Sequence, residues 1–203
     1  MVSTADAGDR AKQERRRQIL QAAKAVFAEL GYHGASINAI IERAQIARGT
    51  FYLYFESKAA VFDSILDQAM VELRARIHRI EVNAPGGPPP QLQVREQVVA
   101  TFEYILRDRA LATILMSAGS TPEAEASARL DQFFTEVRHL LERALETGME
   151  IGLTRQCNVE LASAALLGMI RGVIEQIVRT DGTHTVDEIV TEMLTVCLRG
   201  VLA

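Results

Sequence analysis

Residues 31–58, GYHGASINAIIERAQIARGTFYLYFESK, decide the fold of this chain. Gly31 is suited to ending one helix, because glycine adopts the left-handed backbone conformation that often follows a helix. Ser36 is placed to cap a second helix. That second helix has an apolar stripe at helical spacing, formed by Ile37, Ile40, Ile41 and Ala44. A tight turn at 44–47 and a third, short helix follow, so the stretch predicts a helix-turn-helix.

The third helix carries side chains suited to contacts with nucleic acid. Arg48 can reach guanine edges, and Gly49 lets another backbone approach closely. Phe51 and Phe55 lie four residues apart and are expected to face inward. Hydroxyl and ammonium groups in the segment suit phosphate oxygens. The predicted DNA-binding residues are Ser36, Arg48, Gly49, Thr50, Tyr52, Tyr54 and Lys58.

This order of residues resembles the DNA-binding domain of the TetR family, the tetracycline-repressor-like bacterial regulators. The resemblance rests on Phe27, Gly31, Ser36, Ile40, Gly49-Thr50, Tyr52, Tyr54-Phe55, Ser57 and Lys58. The sequence departs from the family at two positions of the turn. Gln45 stands where the family usually has Gly, which predicts strain or a different turn. Ala47 stands where Ser or Thr is usual, and the missing cap costs about 1 kcal/mol.

The composition excludes several classes of protein. With 203 residues and 48% hydrophobic residues, the chain can form a real core. It has no run of 18 or more apolar residues and no secretory signal, so we expect no membrane span and a cytoplasmic location. Cys157 and Cys197 are far apart and are expected to be reduced. The four histidines are scattered, so we expect no metal site and no cofactor.

The charge is unevenly distributed along the chain. The net charge is −4 overall, but residues 1–60 carry +3 and the remainder carries −7. This asymmetry places a DNA-facing surface in the N-terminal region, although it could also arise by chance. Arg15, Arg16 and Arg17 stand near the start of the first helix, where cations oppose the helix dipole. They either contact the phosphate backbone or form a solvated run that aids solubility.

Helical periodicity extends over nearly the whole chain and predicts an all-α fold. The nine predicted helices cover about 12–30, 37–44, 48–54, 58–82, 91–107, 109–118, from Thr121 to Gly148 or Gly152, 159–180 and 186–202. Residues 83–90 are rich in Pro and Gly and predict a surface loop. The number and order of helices match the TetR architecture. We therefore expect a DNA-binding domain in residues 1–56 and a ligand-binding and dimerisation domain in residues 57–203.

The predicted helix 159–180 is apolar on nearly every side and rich in Ala and Gly. Such a helix is expected to be buried on every side. In a chain of this size, burial of that kind suggests a second copy, although a purely intramolecular core is the alternative. The resemblance implies that helices 159–180 and 186–202 of two chains form a four-helix bundle.

The C-terminal region contains none of the motifs of enzyme chemistry that we sought: no GxSxG, phosphate-binding glycine loop, HExxH or DxDxDG. The chain is therefore predicted not to be an enzyme. Arg171 is expected to pair with Glu175 or to anchor an anionic ligand. Candidates for lining an effector pocket, each also interpretable as ordinary core, are Phe102, Tyr104, Met116, Phe133, Phe134, His139, Met169 and Arg171.

Together these features predict a homodimeric transcriptional regulator, most simply a repressor. Its N-terminal head would bind a near-palindromic operator in double-stranded DNA. A small, largely apolar effector would release it. Two alternatives remain at this stage: a DNA-binding protein of structural role without a ligand, and a helical binding protein whose head has lost DNA binding through Gln45 and Ala47.

Overall fold

The computed structural model describes residues 4–82, 86–117, 124–180 and 184–199. This part of the chain contains nine α-helices and no strand, which confirms the predicted all-α fold. The helices are α1 (Thr4–Gly34), α2 (Ile37–Ala44), α3 (Arg48–Tyr52), α4 (Lys58–Arg74), α5 (Pro90–Arg107), α6 (Arg109–Met116), α7 (Ala124–Glu150), α8 (Val159–Thr180) and α9 (Val186–Arg199). The predicted start of the seventh helix, at Thr121, lies outside the described residues.

Helix α1 begins earlier than the hydrophobic pattern predicts, at Thr4 instead of near residue 12. Gly31 interrupts it with a backbone φ of 69°, and one further turn follows to Gly34. The amide of Ala35 then donates to the carbonyl of Gly31 at 3.1 Å. Gly31 therefore ends the main helix, as predicted, because it supplies the left-handed backbone that a side chain with Cβ would resist.

Helix α4 is shorter than predicted: it ends at Arg74, and the predicted extension to residue 82 is wrong. Residues 77–81 are irregular instead, and two glutamine side chains of α5 bind their backbone. Gln97 accepts from the amide of His78 at 3.2 Å and donates to its carbonyl at 2.9 Å. Gln93 likewise accepts from the amide of Glu81 at 2.9 Å and donates to the carbonyl of Glu81 at 2.8 Å. The two side-chain amides satisfy the backbone N–H and C=O groups of His78 and Glu81, so these groups are paired without a further helical turn.

The chain forms two compact units. The first comprises the described parts of Met1–Ala69 and Ser117–Asp131. Its core is formed by α1 to α4 and includes an aromatic cluster of Phe27, Tyr32 and Phe62, with ring centroids 4.9–5.5 Å apart. Arg129 of α7 adds ion pairs to Asp63 at 2.6 Å and Asp67 at 3.2 Å on α4. This unit extends beyond residues 1–56, whose assignment as the DNA-binding domain stays a prediction.

The second unit comprises the described parts of Met70–Met116 and Gln132–Ala203. Helix α5 packs against α6 and α9, and α6 packs against α8. Thr185 and Glu188 form a capping box at the start of α9. At the end of α7, a Cβ on Gly148 would lie 2.3 Å from Oγ1 of Thr154, so close packing demands glycine there.

Helix α8 is the least covered of the long helices in the second unit. Only Ser163 and Ile174 are buried along it, and Leu161 is 69% exposed. By length and composition alone it is apolar enough to cross a membrane, with a mean hydropathy of 1.5, and the expectation of no membrane span stays a prediction. It nevertheless packs on α6 and carries Arg171 near its middle, so it behaves as a partly covered helix of a bundle.

Candidate DNA-binding surface

Helices α2 and α3 form the predicted helix-turn-helix. Ser36 caps α2, because its hydroxyl accepts from the amide of Ala39 at 3.1 Å. At the other end of α2, the side chain of Gln18 donates to the carbonyl of Ala44 at 2.7 Å. This contact ties α1 to the turn and satisfies one of the carbonyls that a helix end leaves unpaired.

Gln45 adopts the left-handed conformation that the family's glycine would supply, with φ 52° and ψ 47°. It is the only non-glycine residue of the described chain with positive φ. Its amide and that of Ile46 bond to Glu42 and Ile41, at 3.1 and 3.2 Å. The turn is therefore retained and the departure from glycine appears as backbone strain.

Helix α3 divides cleanly into a buried and an exposed side. Phe51 on α3 is fully buried, and Phe55, three residues beyond the end of the helix, is nearly so, as predicted; their ring centroids lie 6.1 Å apart. Arg48, Gly49 and Tyr52 are exposed. Ala47 occupies the N-cap without a side-chain bond, as its missing hydroxyl predicts.

The exposed side of α3 leaves room for a close partner. A Cβ on Gly49 would meet nothing within 4 Å, so no contact among the described residues demands glycine there. Thr50 and Tyr54 are half-buried. The geometry presents Arg48 and Tyr52 outward while Phe51 anchors the helix from behind, an arrangement suited to a helix entering a groove.

Lys58 has a different environment from the one its predicted phosphate contact implies. Its ammonium donates to the carbonyls of Tyr32 at 2.7 Å and Ala35 at 3.2 Å. It also lies 4.2 Å from the centroid of the Tyr32 ring. In the free protein Lys58 therefore joins the start of α4 to the end of α1, and its role in DNA binding stays a prediction.

Arg15, Arg16 and Arg17 lie about three turns into α1, because the helix begins at Thr4, so their predicted position at the helix start is wrong; they have partners within the chain. Arg15 donates to Gln18 at 2.7 Å, and Arg17 pairs with Glu14 at 2.6 Å. The hydrogen bond from Arg17 lowers the pKa of Glu14. Arg16 donates to Ser64 at 3.1 Å and lies 5.2 Å from the centroid of the Phe55 ring. Contact of these arginines with the phosphate backbone, like the alternative of a solvated run, stays a prediction.

A bidentate ion pair fastens α2 to α1. Arg43 donates to both carboxylate oxygens of Glu29, at 2.8 and 2.6 Å, and this hydrogen bonding lowers the pKa of Glu29. Both side chains are about half exposed, so solvent screens the pair and its contribution to stability is small. Its fixed fork geometry helps to orient α2.

The sequence did not indicate two residues that lie beside α3. Asn38 on α2 accepts a hydrogen bond from Arg48 at 3.4 Å. Leu53 follows α3 directly and is 79% exposed, unusual for a large apolar side chain. Helical spacing does not indicate the contact of Asn38 with Arg48, because Asn38 lies on α2, ten residues before Arg48.

The eight predicted effector-site residues all belong to the second unit, and their assignment to one pocket stays a prediction. Phe133 and Phe134 pack edge to face at 5.4 Å. Met169 lies beside Cys197, with 3.9 Å between the sulfurs.

His139 is exposed and bonds to Glu142 at 2.8 Å, so its predicted position in a pocket lining is not supported. Phe102 is buried and Met116 half-buried.

Two arginines of this unit stack on aromatic rings. Arg76 lies 4.3 Å from the centroid of Tyr104. Burial, the largest effect, together with nearby acidic groups raises the pKa of Tyr104 to about 12. Arg171 lies 4.3 Å from the centroid of Phe134. The predicted pairing of Arg171 with Glu175 is wrong, because Arg179 pairs with Glu175 at 3.5 Å and the aromatic face draws Arg171 towards α7.

Comparison with known proteins agrees with this arrangement. Residues 19–65 match the family model described as bacterial regulatory proteins, tetR family, and residues 87–201 match the tetracyclin repressor-like C-terminal domain. The repressor KstR of Rhodococcus jostii is 31% identical over 69% of this chain and 64% of its own length. The regulator YuxN of Bacillus subtilis is 30% identical over 55% of this chain, which spans 38% of that protein.

Among solved structures, FadR from Bacillus subtilis in complex with stearoyl-CoA superposes with a TM-score of 0.76. It is 22% identical, and the match covers 92% of this chain and 99% of that one. The family and these named relatives are transcriptional regulators and not enzymes, in agreement with the prediction for this sequence. With both family models matched, over well more than half of its length, the chain belongs to the TetR family of bacterial regulatory proteins.

Proposed function

We propose that this protein is a cytoplasmic, homodimeric repressor that binds a near-palindromic operator and leaves it when a small, largely apolar effector binds. The observation that carries the proposal is the outward presentation of Arg48 and Tyr52 on a helix anchored by Phe51. An arginine at that place can read guanine in the major groove, and a tyrosine hydroxyl can bind phosphate.

The surface of α8 supports the dimer. Leu161, Ala165, Gly168 and Gly172 recur at helical spacing and are all exposed. A Cβ on either glycine would meet nothing within 4 Å among the described residues, so packing within one chain does not demand their small size. Small residues allow close approach of a second helix, and covering this apolar face with a second copy removes it from water.

The second unit supports an apolar effector with a polar or charged end. Phe133 and Phe134 are buried aromatic side chains of this unit, and Arg171 lies over one of their rings. Relatives are described in complex with molecules of such character: FadR with stearoyl-CoA and SmeT with triclosan. An apolar molecule with an anionic group would match both features of this region.

The proposed mechanism is a two-state switch. In the DNA-bound state, the two recognition helices of the dimer lie about 34–36 Å apart, one turn of DNA. The effector binds better to a state in which this spacing is lost. A near-complete switch requires a preference on the order of 5 kcal/mol for that state.

Selection from a pool of random DNA duplexes tests the proposal. We expect the purified protein to enrich a near-palindromic sequence with half-sites one helical turn apart, at moderate salt. Stearoyl-CoA and triclosan then serve as probes in a binding titration on the enriched duplex. Failure to enrich any sequence would contradict operator binding. If the protein enriches a sequence but neither probe weakens its binding to that duplex, the proposed class of effector is wrong.

A further inference from the structure

The guanidinium of Arg48 has a neighbour on each of two sides in the free protein. Its Nη1 donates to Oδ1 of Asn38 at 3.4 Å, and its central carbon lies 5.9 Å from the centroid of the Tyr52 ring. Asn38 stands in the first turn of α2, and Tyr52 stands one turn beyond Arg48 on α3. The two contacts therefore come from different helices and restrict different directions of the same side chain.

A long exposed arginine ordinarily samples many rotamers, which weakens any interaction that needs one of them. Bidentate recognition of guanine needs the planar fork in one orientation. An amide oxygen can restrict that orientation while using only one of the two N–H groups on Nη1. Because the amide is neutral, it neither repels phosphate nor competes with DNA as strongly as a carboxylate would.

We infer that Asn38 is a positioning residue that sets the base specificity of Arg48 by pre-orienting its guanidinium. This inference rests on the proposed operator binding. It assigns the specificity of the recognition helix partly to a residue of the preceding helix. Asn38 thus acts through Arg48, and its removal matters at the base pair that Arg48 reads and not along the phosphate backbone.

The test starts from the duplex that the wild-type protein enriches from random DNA. Binding is then measured by fluorescence anisotropy on this duplex and on single-base-pair variants of it. The base pair read by Arg48 is the one whose substitution penalty disappears in Arg48→Ala. We expect Asn38→Ala to reduce discrimination at that base pair about 5- to 20-fold, with affinity for unrelated duplex DNA unchanged.

A double-mutant cycle separates positioning from direct contact. In the Arg48→Ala background, Asn38→Ala should have no further effect on discrimination, because there is no guanidinium left to orient. Glu42→Ala, an exposed residue one turn along α2 from Asn38, is the matched control and should leave that discrimination unchanged. Thermal unfolding of each variant confirms that the head remains folded.

Each outcome decides one point. If the wild type enriches no sequence, the proposed function fails before the variants are made. If a sequence is enriched but Arg48→Ala loses discrimination at no base pair, or Asn38→Ala leaves discrimination intact, positioning is overturned while operator binding stands. An equal loss on Asn38→Ala in both backgrounds also overturns it, because Asn38 would then contact DNA by itself.

Discussion

At the scale of single residues, Gln45 shows how the helix-turn-helix tolerates a non-glycine residue in the left-handed backbone conformation. A left-handed φ of 52° brings Cβ close to the following carbonyl, which glycine avoids. The amide bonds of Gln45 and Ile46 to the end of α2 hold the turn in place regardless. The strain is therefore sustained by the hydrogen bonds around it.

Gln45→Gly is expected to stabilise the protein by about 0.5–1 kcal/mol, since relief of Cβ strain exceeds the added freedom of glycine in the unfolded chain. Chemical denaturation measures the change. Gln68→Gly is the matched control, because Gln68 is exposed within α4 and glycine there should destabilise by about 1 kcal/mol. Destabilisation by Gln45→Gly would mean that the glutamine side chain makes a stabilising contact outweighing its strain.

Arg48→Ala and Tyr52→Ala should both weaken binding to the enriched duplex, but differently. Loss of a base contact by Arg48→Ala should cost about 1–3 kcal/mol and relax specificity at one position of each half-site. Tyr52→Ala removes a phosphate contact and should weaken binding to all sequences, with only the partial loss of specificity that follows from removing the ring beside Arg48. A mobility-shift titration on enriched and scrambled duplexes at fixed salt distinguishes them, and unchanged binding by both would refute the assignment of α3.

At the scale of elements, the end of α4 is the main departure from the helical pattern. The apolar spacing continues to Ile77 and Ile80, yet Ile77 is 43% exposed and lies outside the helix. Gln93 and Gln97 lie four residues apart on α5, so their side chains share one face. Each holds both backbone groups of one residue in the segment that follows α4.

The double variant Gln93→Ala/Gln97→Ala should release this segment. We expect faster hydrogen exchange at the amides of His78 and Glu81, because each loses its acceptor. Gln91→Ala, an exposed change on the same helix, should leave both amides protected. Equal protection in all three proteins would show that the glutamines do not hold the segment in solution.

At the scale of the whole molecule, the exposed face of α8 decides whether one chain is the functional unit. Within one chain this helix leaves a stripe of small apolar side chains uncovered along most of its length. Leaving such a face in water forgoes roughly 25 cal/mol for each Å² that a partner could bury. A second copy in the same environment gains equally, which favours a two-fold dimer.

Gly168→Glu should therefore abolish the dimer, because it places a charge without a partner in a packed interface. Sedimentation velocity should report monomer or aggregate. Gly168→Ala separates this effect from misfolding: a Cβ would meet nothing within 4 Å among the described residues, so the fold should survive while the dimer weakens. A well-folded dimer with Gly168→Glu would place the contact elsewhere.

The sequence by itself determined the features that depend on near neighbours. The α2 bounds, the Ser36 cap, the inward Phe51 and Phe55, and the capping box at Thr185 all follow from contacts within four residues, and each agrees with the structure. Helical periodicity and capping are local, so residue order suffices to predict them.

Tertiary structure alone decided where long polar side chains find their partners. Lys58 binds carbonyls 23 and 26 residues away, and Gln97 reaches a backbone 19 residues before it. Arg171 prefers a ring of α7 to the glutamate one turn along its own helix. A long, flexible side chain can reach several acceptors, and only the packing of the helices decides which of them it binds.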